Sequence, residues 1–193
     1  MTKGFTLLEL LIVIAILAIL STVVVLVLNP AEYLAQARDS QRISDLSALN
    51  SVLSLYLANT SSTPVQFCPN IAPANIYCTA SGNIPGASGG SPTACTPALI
   101  SSSTAIGTAG WIPVDFTSIP GGSPLGKKPI DPTNSTTYKY AYGCDQTPSY
   151  EMSAKLESSK FKHGGAADKE SNDGGLNVNA YEIGSNLLLL PAN

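Results

Sequence analysis

Charge is scarce in this sequence. Only 12% of its 193 residues are Asp, Glu, Lys or Arg, about half of the roughly 25% usual in soluble domains. The formal net charge of −3 leaves no basic footprint, so direct nucleic-acid binding is not expected. A single histidine and the lack of any Cys-x-x-Cys pair argue against a zinc site. No Gly-x-x-x-x-Gly-Lys-Ser/Thr run occurs, so the phosphate-cradling loop of nucleotide enzymes is missing. His163 stands in Lys160-Phe-Lys-His-Gly-Gly, with no serine or cysteine nucleophile motif beside it. With no catalytic constellation in view, an enzyme is not expected.

Apolar residues make up 44% of the chain, and they are concentrated at one end. Phe5 to Leu28 is a run of 24 nearly all-apolar residues. As a helix it would be about 36 Å long, enough to cross a hydrocarbon core of about 30 Å. A secretory signal has a shorter apolar core followed by a small-residue cleavage site. Here the run is longer and no clear Ala-x-Ala site follows. Lys3 favours a cytoplasmic N-terminus, which puts everything after Asn29 outside.

Glu9 breaks the apolar run one helical turn inside it. A carboxylate at mid-bilayer costs on the order of 2.5–3.5 kcal/mol on insertion scales. Solvation near the interface is one explanation, and a cationic partner is the other. Phe5 and Glu9 share a helix face at i, i+4. If the chain is cut between Gly4 and Phe5, the new α-amine of a neighbouring subunit could meet Glu9 and neutralise it.

Gly4-Phe5-Thr6-Leu7-Leu8-Glu9, followed by an unbroken apolar helix, resembles the class III signal of type IV pilins and type II secretion pseudopilins. The resemblance covers about the first thirty residues. It implies that a prepilin peptidase cuts after Gly4 and that the new terminus, Phe5, is N-methylated. Glu9 would be the carboxylate that sets subunit register during assembly. The implied product is a homopolymeric filament, held before assembly by one span in the inner or cytoplasmic membrane and extracellular afterwards. A platform protein and a cytoplasmic ATPase would act as indirect partners. A minor pilin, a secretion pseudopilin, or a membrane-tethered adhesin or binding module is the alternative.

The rest of the chain divides into recognisable pieces. Residues 1–4 form a leader and 5–28 the hydrophobic helix. Asn29-Pro30 interrupts it, because proline removes a backbone donor and clashes with the preceding turn. Residues 29–60 resume as an amphipathic helix. Leu34, Ile43, Leu46, Leu49, Leu53, Tyr56 and Leu57 form its buried stripe, while Arg38, Asp39, Gln41, Arg42, Asp45 and Asn50 take the other surface. Thr60-Ser-Ser-Thr-Pro64 ends the pattern. Residues 61–193 read as an extracytoplasmic, loop-rich β domain, irregular from 61 to 110. Tyr138, Tyr140 and Tyr142 alternate with Lys139 and Ala141. Tyr150, Met152, Ala154 and Leu156 alternate with Glu151, Ser153 and Lys155. These two runs predict a β-hairpin, and Tyr181 to Gly184 a further strand. The expected class is α+β: a long helix packed on a small antiparallel sheet.

Cys68, Cys78, Cys95 and Cys144 all lie beyond the hydrophobic run. An even count in an exported domain predicts two disulfides, with three connectivities open. One of these joins Cys68 to Cys78 and Cys95 to Cys144. Asp168 to Asn179 reads DKESNDGGLNVN, rich in oxygen ligands and tight-turn glycines. Major pseudopilins carry calcium in a C-terminal loop, so the resemblance implies Asp168, Asp173, Asn177 and Asn179 as candidate ligands. The spacing does not match an EF-hand, and a solvated Asn/Asp turn accounts for the same residues.

Overall fold

A computed structural model describes residues 4–59, 67–69, 76–87, 94–145, 147 and 149–191. Lys3, the Thr60–Pro64 break and Pro148 lie outside the described residues. Two helices open the chain, α1 (Leu7–Leu28) and α2 (Pro30–Asn59). Four strands follow: β1 (Ile76–Cys78), β2 (Tyr140–Cys144), β3 (Tyr150–Ala154) and β4 (Tyr181–Gly184). They form one antiparallel sheet in sequence order. The α+β class expected from the sequence is what the chain adopts.

Strand alternation sorts the sheet into two faces. Tyr140 and Tyr142 of β2, and Tyr150, Met152 and Ala154 of β3, turn toward α2. There they join Leu46, Leu49, Val52, Leu53 and Tyr56 with Phe67 and Trp111 in the main core. Each such leucine contributes about 1.5–3 kcal/mol by leaving water. Trp111 is fully buried, and its indole N–H donates to the Pro129 carbonyl at 2.8 Å. Ile76, Cys78 and Ala141 face the opposite way, forming a smaller cluster with Ile84, Cys95 and Leu190.

The amphipathic stripe of α2 differs from the sequence expectation in two ways. Leu34 is exposed although its neighbours already meet the rest of the fold: Ala35 is buried, and Glu32 accepts from the Ser159 hydroxyl at 2.9 Å, so Leu34 lies on the side of α2 turned away from these contacts. Asp39 and Arg42, expected on the outer surface, are fully buried. Arg42 donates to Asp39 (2.9 Å), to Asp131 (2.6 Å) and to Glu157 (2.6 Å). Asp39 also accepts the backbone N–H groups of Glu157 and Ser158. Periodicity assigned these charges to water, but partners more than 80 residues away in sequence receive them inside.

The region from 61 to 110 is not wholly irregular. It holds β1 and a 3-10 turn at Pro97–Leu99. A three-residue strand flanked by loop-like sequence has no periodicity to reveal it. Only pairing with β2, Tyr77 opposite Tyr142, defines it.

Two disulfides tie these elements together, Cys68–Cys144 and Cys78–Cys95. The Cys68–Cys78 and Cys95–Cys144 alternative is therefore not the one formed. Cys78 and Cys95 meet on the outer face of the sheet, whereas Cys144 packs against the main core. The first bond anchors the segment after α2 to the end of β2. The second joins β1 to the loop behind it.

Candidate functional site: the N-terminal helix and its ends

α1 is apolar around its whole circumference, and none of its described side chains is buried against the rest of the chain. Its described large apolar side chains, from Leu7 to Leu28, are between 45% and 82% exposed. At about 1.5 Å per residue its 22 residues span about 33 Å. The stretch Leu7–Val25 is long and apolar enough to cross a membrane. Of its two hydroxyl residues, Ser21 and Thr22, Thr22 donates to the Ala18 carbonyl at 2.9 Å.

Gly4 and Phe5 precede the helix as extended, exposed chain, with Phe5 81% exposed. Among the described residues, leaving out its chain neighbours, nothing lies within 4 Å of where a Cβ on Gly4 would stand. A scissile bond between these residues would be open to an enzyme. Thr6 is the N-cap and Glu9 the third helical residue, and together they form a capping box. Thr6 N–H and O–H donate to Glu9 Oε2 at 2.9 and 2.8 Å, and Glu9 N–H donates back to Thr6 Oγ1 at 3.2 Å. The one charge of α1 is thus tethered at the helix start, on the side facing Phe5.

At the other end Asn29 takes a left-handed conformation, with φ 40° and ψ 71°. Asparagine tolerates this region better than most residues. Pro30 then occupies the first position of α2, where its missing N–H costs nothing. The chain re-enters helix at once, and Glu32 N–H donates to the Asn29 carbonyl at 3.0 Å. A helix exposed along its described side chains is thereby joined through one non-helical residue to a helix packed on the sheet.

The oxygen-rich segment near the C-terminus is occupied by its own backbone. Asp168 accepts from Gly164 N–H and from both the N–H and the O–H of Ser171. Asp173 accepts from Gly175 and Glu182 N–H. Asn177 Oδ1 accepts Asn179 N–H, while its Nδ2 donates to the Pro85 carbonyl. Among the described residues, no group of three or more His, Cys, Asp or Glu side chains is placed to hold a metal ion. His163 has its side chain 58% exposed, with Nδ1 hydrogen-bonded to Ser171 Oγ.

Sequence reasoning missed the buried polar groups of the sheet domain. Lys128 and Lys139 are both fully buried. Lys128 Nζ donates to the carbonyls of Gly107, Ile112 and Val114 at 2.7–2.8 Å. Burial lowers its pKa to about 8, against a small opposing effect of Asp115. Isolated lysines in loop or strand sequence carry no signal for such a role.

The N-terminal geometry is that of an exposed apolar helix, long enough to cross a membrane and capped at its start by Thr6 and Glu9. In agreement, residues 1–25 match the family model described as the prokaryotic N-terminal methylation motif. The chain carries the class III signal of pilins and pseudopilins. No curated protein and no solved structure matches it.

Proposed function

We propose that this chain is a structural subunit of a type IV pilus-like filament, cut between Gly4 and Phe5 and N-methylated on Phe5. The observation that carries this reading is α1 itself: a helix apolar on every side, buried nowhere in its own subunit, with Glu9 as its one charge. In the membrane, lipid covers that surface. In a filament, the same surface packs against copies of itself, with the sheet domains outside. A prepilin peptidase processes the chain, and a platform protein and an assembly ATPase act on it indirectly. A secretion pseudopilus would use the same helix chemistry. The work is assembly rather than catalysis.

Intact-mass analysis of protein from the native host tests the processing step. The expected mature chain starts at methylated Phe5. A start at Met1, or a cut beyond Leu28, would overturn the proposal. Electron microscopy of sheared filaments, with mass analysis of their main component, distinguishes a filament subunit from a tethered binding module. Calcium at Asp168, Asp173, Asn177 and Asn179, which the resemblance implies, would compete with backbone N–H groups that Asp168, Asp173 and Asn177 already accept. Thermal unfolding with calcium and with chelator tests that site, and equal midpoints would dismiss it.

A further inference from the structure

β3 and β4 turn two acidic side chains to the outer face of the sheet. Ser153 stands opposite Glu182, and Glu151 opposite Gly184. Glu151 and Glu182 are therefore diagonal neighbours, within reach of long side chains. Glu151 is 0% exposed and Glu182 2%. Neither forms a salt bridge among the described residues. Each commits one oxygen to backbone donors. Glu151 Oε2 accepts the N–H groups of Leu189 and Leu190, both at 2.8 Å. Glu182 Oε2 accepts Asn177 N–H at 2.9 Å. Glu151 Oε1 is buried and, among the described residues, finds no donor as long as Glu182 is ionised. The register thus brings two long acidic side chains together on one buried face of the sheet. Two carboxylates cannot bond without a proton, and two touching anions in a low-dielectric interior repel strongly.

We infer that Glu151 and Glu182 share one proton, Glu182 donating to Glu151 Oε1, and that this acid pair is a pH-sensitive latch holding the C-terminal segment on the sheet. The ionised member, Glu151, is the one that clamps the Leu189 and Leu190 amides. Leu190 is then buried in the cluster of Ala141 and Cys78, lying where a Cβ on Gly143 would stand. The protonated member, Glu182, keeps the second charge out of the interior while Asn177 anchors the preceding loop to it.

The surroundings favour the neutral form of Glu182. Burial first, then the bond to Glu151, pushes Glu182 up to about 8, and burial also raises Glu151. Asp173, in the loop packed against both, adds negative charge that raises each further. Lys169 borders the open cavity of about 340 Å³ shared with Asp173, Tyr181 and Glu182, without an ion pair to either acid among the described residues. From α2 the cavity receives Ile43, and from β2 the outer face receives Ala141 and Gly143, none of them titratable. The sign follows. Glu182 is raised above its ordinary 4.5, so its stabilisation is complete below that value and is lost as pH rises through about 8.

The test uses the full chain in detergent micelles. Infrared spectroscopy at about pH 7 should show a protonated carboxyl band that Glu182→Gln removes. Hydrogen exchange at Leu189 and Leu190, corrected for intrinsic rates, should lose about tenfold protection between about pH 7 and pH 9. Glu182→Gln, a permanent neutral donor, should retain that protection. The inference is overturned if wild type lacks the band, if its protection is unchanged to about pH 9, or if Glu182→Gln loses protection as wild type does. Calcium that removes the band and raises protection at Leu190 would also overturn it, assigning the pair to a cation instead. The wild-type spectrum and exchange decide the matter even if the variant does not fold.

Discussion

Thr6 and Glu9 hold each other in a closed ring of hydrogen bonds at the start of α1, hydroxyl and amide of one against carboxylate and amide of the other. In a membrane, the Thr6 donors would supply part of the solvation that lipid denies the Glu9 carboxylate. A neighbouring α-amine approaching along the axis would meet a carboxylate already held in place.

The first prediction concerns that carboxylate. Glu9→Leu should insert into the membrane normally, since it makes α1 more apolar, yet form few or no filaments. Glu9→Asp should be intermediate, because the charge remains but its reach shortens. Thr6→Val should weaken the helix start by about 1 kcal/mol. Sheared filaments are compared with membrane-bound subunit for each variant. Abundant, ordered filaments from Glu9→Leu would defeat the ion-pair mechanism.

The second prediction is a pairing and a ranking. Non-reducing peptide mapping of exported protein should recover Cys68 with Cys144 and Cys78 with Cys95. The bonds span 76 and 17 residues. Loop-closure entropy assigns them about 4.5 and about 3 kcal/mol respectively. Paired serine replacements at 68 and 144 should therefore lower the denaturant midpoint more than those at 78 and 95.

The third follows from the ion cluster between α2 and the sheet domain. Arg42→Met would leave Asp39, Asp131 and Glu157 without their shared cation. Removing one partner of a buried network costs about 3–5 kcal/mol, which thermal unfolding of the full chain would register. The pH dependence has a defined sign. Burial pushes Glu157 up, but hydrogen bonds from Arg38 and Arg42 outweigh it and hold it at about 2. Its stabilisation is present above the ordinary value of 4.5 and is lost as pH falls through about 2. Arg42→Met should flatten that acid limb.

The fourth concerns the buried ammonium of Lys128. Lys128→Met would keep the aliphatic stem and orphan three carbonyls, at about 1–3 kcal/mol for each that water does not reach. Lys128→Arg should not restore stability. The Lys128 stem leaves no room for even a Cβ on Gly110, so a larger guanidinium lacks space. Urea unfolding of the three proteins orders them.

Much of the fold was legible because it is local. The apolar run of α1, the Asn29-Pro30 junction and the β2 and β3 alternation each depend on neighbours a few residues apart. The Gly4-Phe5-Glu9 pattern is equally local, since a short helix-start segment contains it whole. The sequence by itself determined the apolar helix, the α+β class and the candidate processing segment.

Tertiary structure decided the partners. Which cysteines met depended on β1 pairing with β2, and nothing in the spacing of residues 68 to 144 encodes that. Asp39 and Arg42 read as surface charges until loops bearing Asp131 and Glu157 closed over them. Glu151 and Ser153 alternate with the core-facing residues of β3, yet both are buried. Leu189 and Leu190, hydrogen-bonded to Glu151, cover that face. Alternation separates the two faces of a strand, but whether the second face meets water depends on distant chain returning to cover it.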